Sequence, residues 1–298
     1  MDAGGAGGAG GLGRSLRRLR AVRGLRGPGT SRARAVLPSR QAGGEGLRAR
    51  VPGPVLGAEP GPGGGLVRCA RSVLRVEVTS GGSVFLGWDG AGPGPSAALV
   101  AGCPAVDGRA TLEPDTDGGW RVVAQRVLVT VSRDGTVVVR TPGGVLLRRD
   151  LPPRWWESEP GAGGAWVQRA EVAADARFLA VDGAPLPDGT YAVPGSASPG
   201  VRASGSGVVV PVQLVVAEAG THLVFHDGGG GGRVSLRAGA WGGGSGHDRA
   251  GRCELRMAGG PLRYWVLPGP RERALREWAT LTGAPVDPDA GGPGGPGR

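Results

Sequence analysis

From Leu66 onward the sequence alternates apolar and polar residues in short runs. A period of two puts successive side chains on opposite faces of a strand, so each run predicts a half-buried β-strand. "VLRVEVTSGGSVFLGW" (73–88) reads as two strands around a Ser-Gly-Gly-Ser turn. "WRVVAQRVLVTVSRDGTVVVRTPGGVLLRRDL" (120–151) reads as successive strands, with tight turns at Arg133-Asp134-Gly135 and Pro142-Gly143-Gly144. Val127, Val129 and Val131 share one face, and Val137 and Val139 can pair across from them. The stretch 166–183 is less regular. Residues 207–228 form a hairpin-like pair around Glu218-Ala219-Gly220, and runs at 232–239 and 252–269 complete the series. Many short strands with glycine-rich turns predict an all-β, two-sheet β-sandwich.

The period changes once near the end. After Pro268-Gly269-Pro270, residues Ala274, Leu275, Trp278 and Leu281 recur on one helical face. Pro270 suits a first helical position, Gly283 suits a C-cap, and Pro285 stops continuation. The spacing predicts a connector helix over 270–283, followed by a disordered tail over 284–298.

Composition alters the reading of the first quarter of the chain. Lys, Asn and Ile are absent, so all 35 basic residues are Arg, and Gly (62) and Pro (26) are abundant. Residues 1–50 hold eleven arginines against Asp2 and Glu45, whereas the other 248 residues carry 24 arginines against 23 acids. The net charge of +10 is therefore concentrated in a tail. That tail has no aromatic to stack on a base, which argues against nucleic acid as a partner. Residues 1–65 read as a basic, low-complexity extension and linker. Leu12, Leu16, Leu19, Val22 and Leu25 allow a short amphipathic helix over 12–26. No apolar run approaches the ~20 residues of a membrane span. Cys69, Cys103 and Cys253 are odd in number and widely spaced, so they suggest buried thiols in a cytoplasmic protein.

Three stretches resemble glycoside hydrolase family 31, the α-glucosidase family. "GGPLRYWVLPGPRERALREWATLTGAP" (259–285) is similar to the end of that family's N-terminal domain. The matches are Leu262, Tyr264, Val266, Gly269, Pro270, Leu281, Thr282, Gly283 and Pro285. "PVQLVVAEAGTHLVFHDG" (211–228) resembles an upstream hairpin through Gly220, Phe225 and Asp227, and "ARFLAVDGAPLPDGTYAV" (176–193) sits where the family has a glycine turn and a Tyr strand. The resemblance implies a galactose mutarotase-like sandwich over 66–269, abutting a catalytic barrel into which the helix would lead. It implies hydrolysis of α-glucosidic bonds by the complete enzyme. The chain departs from the family at Ala180-Val181-Asp182-Gly183, at Pro194-Gly195-Ser196-Ala197 (where a substrate-reaching loop is usual) and at Asp287-Pro288-Asp289 (where the barrel would begin).

Candidate chemistry is sparse. A retaining glycosidase needs two carboxyls about 5–5.5 Å apart. The acid pairs Asp115/Asp117, Glu157/Glu159 and Asp287/Asp289 lie in Pro- or Gly-rich turns, so no catalytic residue is assigned. "EPDTDGG" (113–119) starts like a calcium loop but has Ala124 where a bidentate Glu is required. His222 and His226 share a strand face, and with His247-Asp248 they reach only the minimum for a metal site, so they read as packed or rim histidines. No metal or cofactor is expected. Trp88 and Trp120 read as core. The carbohydrate-binding candidates are Trp155, Trp156, Tyr191, His226 and Asp227. The expected partners are carbohydrate, the catalytic barrel or a second copy through the barrel-facing surface. The competing reading is a stand-alone carbohydrate- or protein-binding sandwich.

Overall fold

The computed structural model describes residues 48–89, 91–94, 96, 98–100, 104–157, 164–193, 212–227, 231–242 and 246–284. By backbone contacts the chain divides after Gln41, and every described residue belongs to the second unit. The expected helix at 12–26 and tail beyond 284 lie outside the described residues.

The first strands are β1 (Arg48–Arg50), β2 (Val55–Gly61), β3 (Gly64–Cys69), β4 (Val73–Val78) and β5 (Val84–Trp88). Next come β6 (Thr111–Pro114), β7 (Trp120–Val123), β8 (Leu128–Val131), β9 (Val137–Arg140) and β10 (Leu146–Glu157). Then follow β11 (Ala165–Val172), β12 (Arg177–Leu179), β13 (Gly189–Val193), β14 (Val212–Ala217) and β15 (Gly220–His226). β16 (Gly232–Arg237), β17 (Gly251–Met257), β18 (Arg263–Pro268) and the helix α1 (Arg271–Thr282) complete the order.

All pairings are antiparallel and build two sheets. The ten-stranded sheet runs β13-β16-β17-β11-β10-β9-β8-β7-β6, with β1 added alongside β10. The eight-stranded sheet runs β12-β14-β15-β18-β5-β4-β3-β2. The predicted valine pairing holds, since Val129 opposes Val139 and Val131 opposes Val137, all fully buried. Gly135 and Gly144 take positive φ in the turns that the sequence marked. Between the sheets lies a core that includes Leu74, Val76, Leu86, Val129, Trp166, Leu255 and Tyr264.

The 1–65 linker is corrected at its C-terminal end: residues from Arg48 onward already form strands. Their glycine and proline content disguised them. Gly64 and Gly65 have φ of 150° and 153°, and a Cβ would stand 2.4 Å from the Val76 carbonyl oxygen or 2.2 Å from that of Glu59. Glycine is thus required by the close approach of β2, β3 and β4, not by a flexible link.

α1 packs on the outer face of the eight-stranded sheet. Ala274, Leu275, Trp278 and Leu281, the predicted face, are buried against Phe85, Leu214, Leu223, Phe225, Trp265 and Leu267. Gly283 caps the helix at φ 67°, its N–H reaching the Ala279 carbonyl. Pro270 is the N-cap rather than the first helical residue, so the helix starts one residue later than expected, and Pro270 offers no side-chain cap.

Candidate functional site

β10 is irregular between Leu146 and Arg148 and between Leu151 and Arg154, and between these points one inward-facing pair is charged. Arg148 and Asp150 point between the sheets while Arg149 points to solvent, and the first two are 1% and 2% exposed. The Arg148 Nε donates to Asp150 Oδ1 at 2.7 Å. From the opposite sheet, the Tyr264 hydroxyl donates to Asp150 Oδ2 at 2.9 Å. The Arg148 guanidinium also lies 5.9 Å from the Tyr264 ring centre. Burial pushes the Asp150 carboxyl upward, against the pull of Arg148 and Tyr264, and burial with the Asp150 charge pushes the Tyr264 hydroxyl well above its usual range.

Other polar groups surround this triad. His222 and His226 flank Val224 on the inward face of β15. Burial, reinforced by the Arg148 charge, pushes both imidazoles down to about 3, so they are neutral. Among the described residues, neither ring nitrogen of either histidine has a hydrogen-bond partner. The Cys253 thiol donates to Gln213 Oε1 at 3.3 Å, and burial pushes that thiol up to about 11. Gln168 is buried beside the Tyr264 hydroxyl.

Such a set can hold two sheets in one register. It has no exposed nucleophile with an adjacent base, and its carboxylate is already occupied by two donors. The sequence-derived candidates fall elsewhere or serve other ends. Trp155 is 5% exposed, with its ring 6.0 Å from that of Trp88 and beneath the Arg50 guanidinium, so it is core and cannot stack on a sugar. Trp156, opposite Ala165, is half-buried on the outer face of the ten-stranded sheet. Tyr191 packs against the core from β13, and its hydroxyl donates to the Pro187 carbonyl at 2.6 Å. His226 faces the interior, its ring 5.6 Å from that of Tyr264. Asp227 accepts from the Ser96 hydroxyl and lies 3.2 Å from Arg263 Nε, fastening the loop after β5 to the end of β15. Burial pushes its carboxyl up, opposed by Ser96 and Arg263. The five candidates therefore form no common site.

The remaining acids behave as turn residues. Asp115 accepts from the Thr116 N–H and Asp117 from the Gly119 N–H. His247 is exposed on a separate loop, and among the described residues no three ligating side chains converge. In the sequence Arg148 and Asp150 show only as part of the charged run Arg148-Arg149-Asp150 between Leu147 and Leu151, and nothing local ties them to Tyr264.

No family model and no curated protein matches the sequence. Solved structures do match the fold. A dextranase of glycoside hydrolase family 31 from Flavobacterium johnsoniae, solved with isomaltotriose, aligns over 80% of this chain and 29% of its own, at 14% identity and a TM-score of 0.59. The glucosidase II catalytic subunit, in complex with the binding domain of its regulatory subunit, aligns over 78% of this chain and 34% of its own, at 10% identity and a TM-score of 0.55. An α-1,4-glucan lyase from Gracilariopsis lemaneiformis aligns over 78% and 30%, at 10% identity and a TM-score of 0.51. The chain thus shares the fold of one part of these enzymes and spans about three tenths of their length.

Proposed function

We propose that this chain is the sandwich portion of a family-31-like glycoside hydrolase acting on α-glucosidic bonds, and that it does not cleave them by itself. One observation carries the reading: four fifths of the chain aligns with such enzymes while covering less than a third of the dextranase. The helix that follows β18 supports it, because the resemblance implies a helix at that place in the chain, leading into the barrel. Cleavage then belongs to a catalytic barrel that the sandwich abuts. Purified chain should show no turnover of isomaltotriose or of a nitrophenyl α-glucoside. It should bind a separately produced family-31 barrel. Turnover by the chain alone, abolished by no barrel-directed inhibitor, would sink the claim of inactivity. Absence of any interaction with barrel or glucan would sink the family reading.

A second reading, a stand-alone carbohydrate- or protein-binding module, is favoured by Trp156, which sits half-buried on an open sheet face. Glucan-dependent change in tryptophan fluorescence without a barrel would select it. Self-association is part of the proposal, and the row of Val123, Leu128, Arg140 and Leu146 on the outer face of the ten-stranded sheet is its candidate surface. Light scattering at rising concentration tests this, and a strict monomer counts against it. A cytoplasmic site is also proposed, from the free thiols of Cys69 and Cys253. No helix among the described residues is long and apolar enough to cross a membrane.

A further inference from the structure

Beyond residue 50 the chain is close to neutral. Strand register nevertheless gathers its arginines onto one surface. Across the outer face of the ten-stranded sheet, Arg149 opposes Glu171, Glu171 opposes Arg252, and Arg252 opposes Arg237. One row along, Arg169 opposes Glu254 and Glu254 opposes Ser235. In the third row Arg154 opposes Val167, Val167 opposes Arg256, and Arg256 opposes Arg233. Seven arginines, all exposed, stand against two half-buried glutamates on four adjacent strands. Glu254 pairs with Arg169 and Arg256, and Glu171 with Arg252 at 3.8 Å. Arg149, Arg154 and Arg237 form no ion pair with a described residue. Two positions beyond Arg154, Trp156 lies on the same face.

We propose that this face binds an anionic polysaccharide, whose sugar rings carry carboxylate or sulfate groups. The proposal rests on the carbohydrate reading above and names a ligand class for it. Neighbouring strands are about 4.8 Å apart and alternate residues on a strand about 6.7 Å apart, so these arginines leave the sheet at closely spaced backbone positions, with the step on β10 lengthened by the register shift between Leu151 and Arg154. Each guanidinium is a planar fork that matches a carboxylate or sulfate with two parallel hydrogen bonds. Trp156 supplies an apolar ring surface at the edge of these rows, where a sugar can stack.

The same face suits other polyanions poorly. Single-stranded nucleic acid is held by successive aromatics, and these three rows offer only Trp156 at their end. Anchoring in a lipid bilayer needs protruding apolar side chains, and within these three rows the apolar positions are Leu151, half-buried, and Val167, 8% exposed.

The test uses the full chain with dextran sulfate and length-matched neutral dextran, by titration at several salt concentrations. Dextran sulfate should bind and neutral dextran should bind far more weakly. The variant Arg149→Gln/Arg237→Gln/Arg252→Gln should lose about tenfold or more in affinity. Its salt dependence should shallow by about one power of salt concentration per arginine removed. Arg17→Gln/Arg18→Gln/Arg20→Gln, in the basic N-terminal segment, should bind as wild type. Trp156→Ala should weaken binding several-fold without changing the salt slope. An unchanged circular dichroism spectrum and melting point confirm that each variant is folded.

The proposal is overturned if the N-terminal variant loses binding and the sheet variant keeps it. It is equally overturned if duplex DNA or phosphatidylserine vesicles bind as tightly as dextran sulfate at the same salt. Neutral dextran binding that survives in the sheet variant would overturn this inference and leave the carbohydrate reading standing. Failure of the wild-type chain to bind either polymer would overturn this inference and the binding-module reading, with the family reading decided separately by binding to the barrel.

Discussion

Tyr264, on β18 of the eight-stranded sheet, donates its hydroxyl to Asp150, on β10 of the ten-stranded sheet, at 2.9 Å across a core where both are buried. Asp150 in turn holds Arg148 at 2.7 Å. A charged pair in an apolar interior survives only when its geometry is good and its remaining lone pairs are met. The cross-sheet hydroxyl meets one of them, so the sandwich fixes how its two layers slide relative to each other.

Removing either end of that arrangement should be costly. Asp150→Leu leaves a buried guanidinium without its counter-charge and should cost about 3–5 kcal/mol. Tyr264→Phe deletes one hydrogen bond to a charged group and should cost about 1.5–3 kcal/mol. The double variant Arg148→Met/Asp150→Leu removes both charges and should lie closer to wild type than Asp150→Leu alone. Denaturant midpoints of the three variants decide it. A cost below about 1 kcal/mol for Asp150→Leu would mean that Arg148 finds another partner or reaches water.

Stability should fall on mild acidification because of His222 and His226. Their imidazoles titrate at about 3 in the folded chain and near the ordinary 6.5 once unfolded. The unfolded state therefore binds more protons between those values. Stability is full above about pH 6.5 and is lost as pH drops through that window. At pH 5 the loss should be about 2 kcal/mol for each histidine. Chemical denaturation at pH 7 and pH 5 reads this directly. The variant His222→Leu/His226→Leu should show a much flatter profile, and an equally steep one would assign the effect to other groups.

Two glycines near the start of the sandwich should respond oppositely to alanine. Gly65→Ala puts a Cβ 2.2 Å from the Glu59 carbonyl at a φ of 153°, and should cost about 2–4 kcal/mol. Gly57, on the adjoining strand, has nothing within 4 Å of a built Cβ. Gly57→Ala should be neutral within about 0.5 kcal/mol or slightly stabilising. Thermal melts of both variants provide the comparison, and equal shifts would contradict the close packing of β2 on β3.

Docking of the helix should depend on Trp278. Truncation to Ala opens a cavity against the eight-stranded sheet and should cost about 3–5 kcal/mol. Hydrogen exchange would show it as early loss of protection at residues 274–282, with β15 and β18 protected for longer. Protection of the helix unchanged from wild type would mean that Leu275 and Leu281 suffice to hold it.

The strands and the helix were legible from the chain because their signals are local. Val129 and Val131 alternate with Thr130 and Ser132, and Gly135 marks the turn. The face of Ala274, Leu275, Trp278 and Leu281 repeats at helical spacing. Three features needed the tertiary structure. The glycine- and proline-rich stretch before Leu66 forms strands because backbone approaches backbone there, and closeness between distant segments leaves no period in the sequence. Trp155 and Trp156 are neighbours of identical type, yet strand parity sends one into the core and the other to the outer face. The same parity buries Arg148 and exposes Arg149, while antiparallel register sets Arg149 in one row with Arg252 and Arg237. A strand's alternation says which residues share a face. Which face meets the opposite sheet, and which distant residues lie beside them, is decided only when the strands pair.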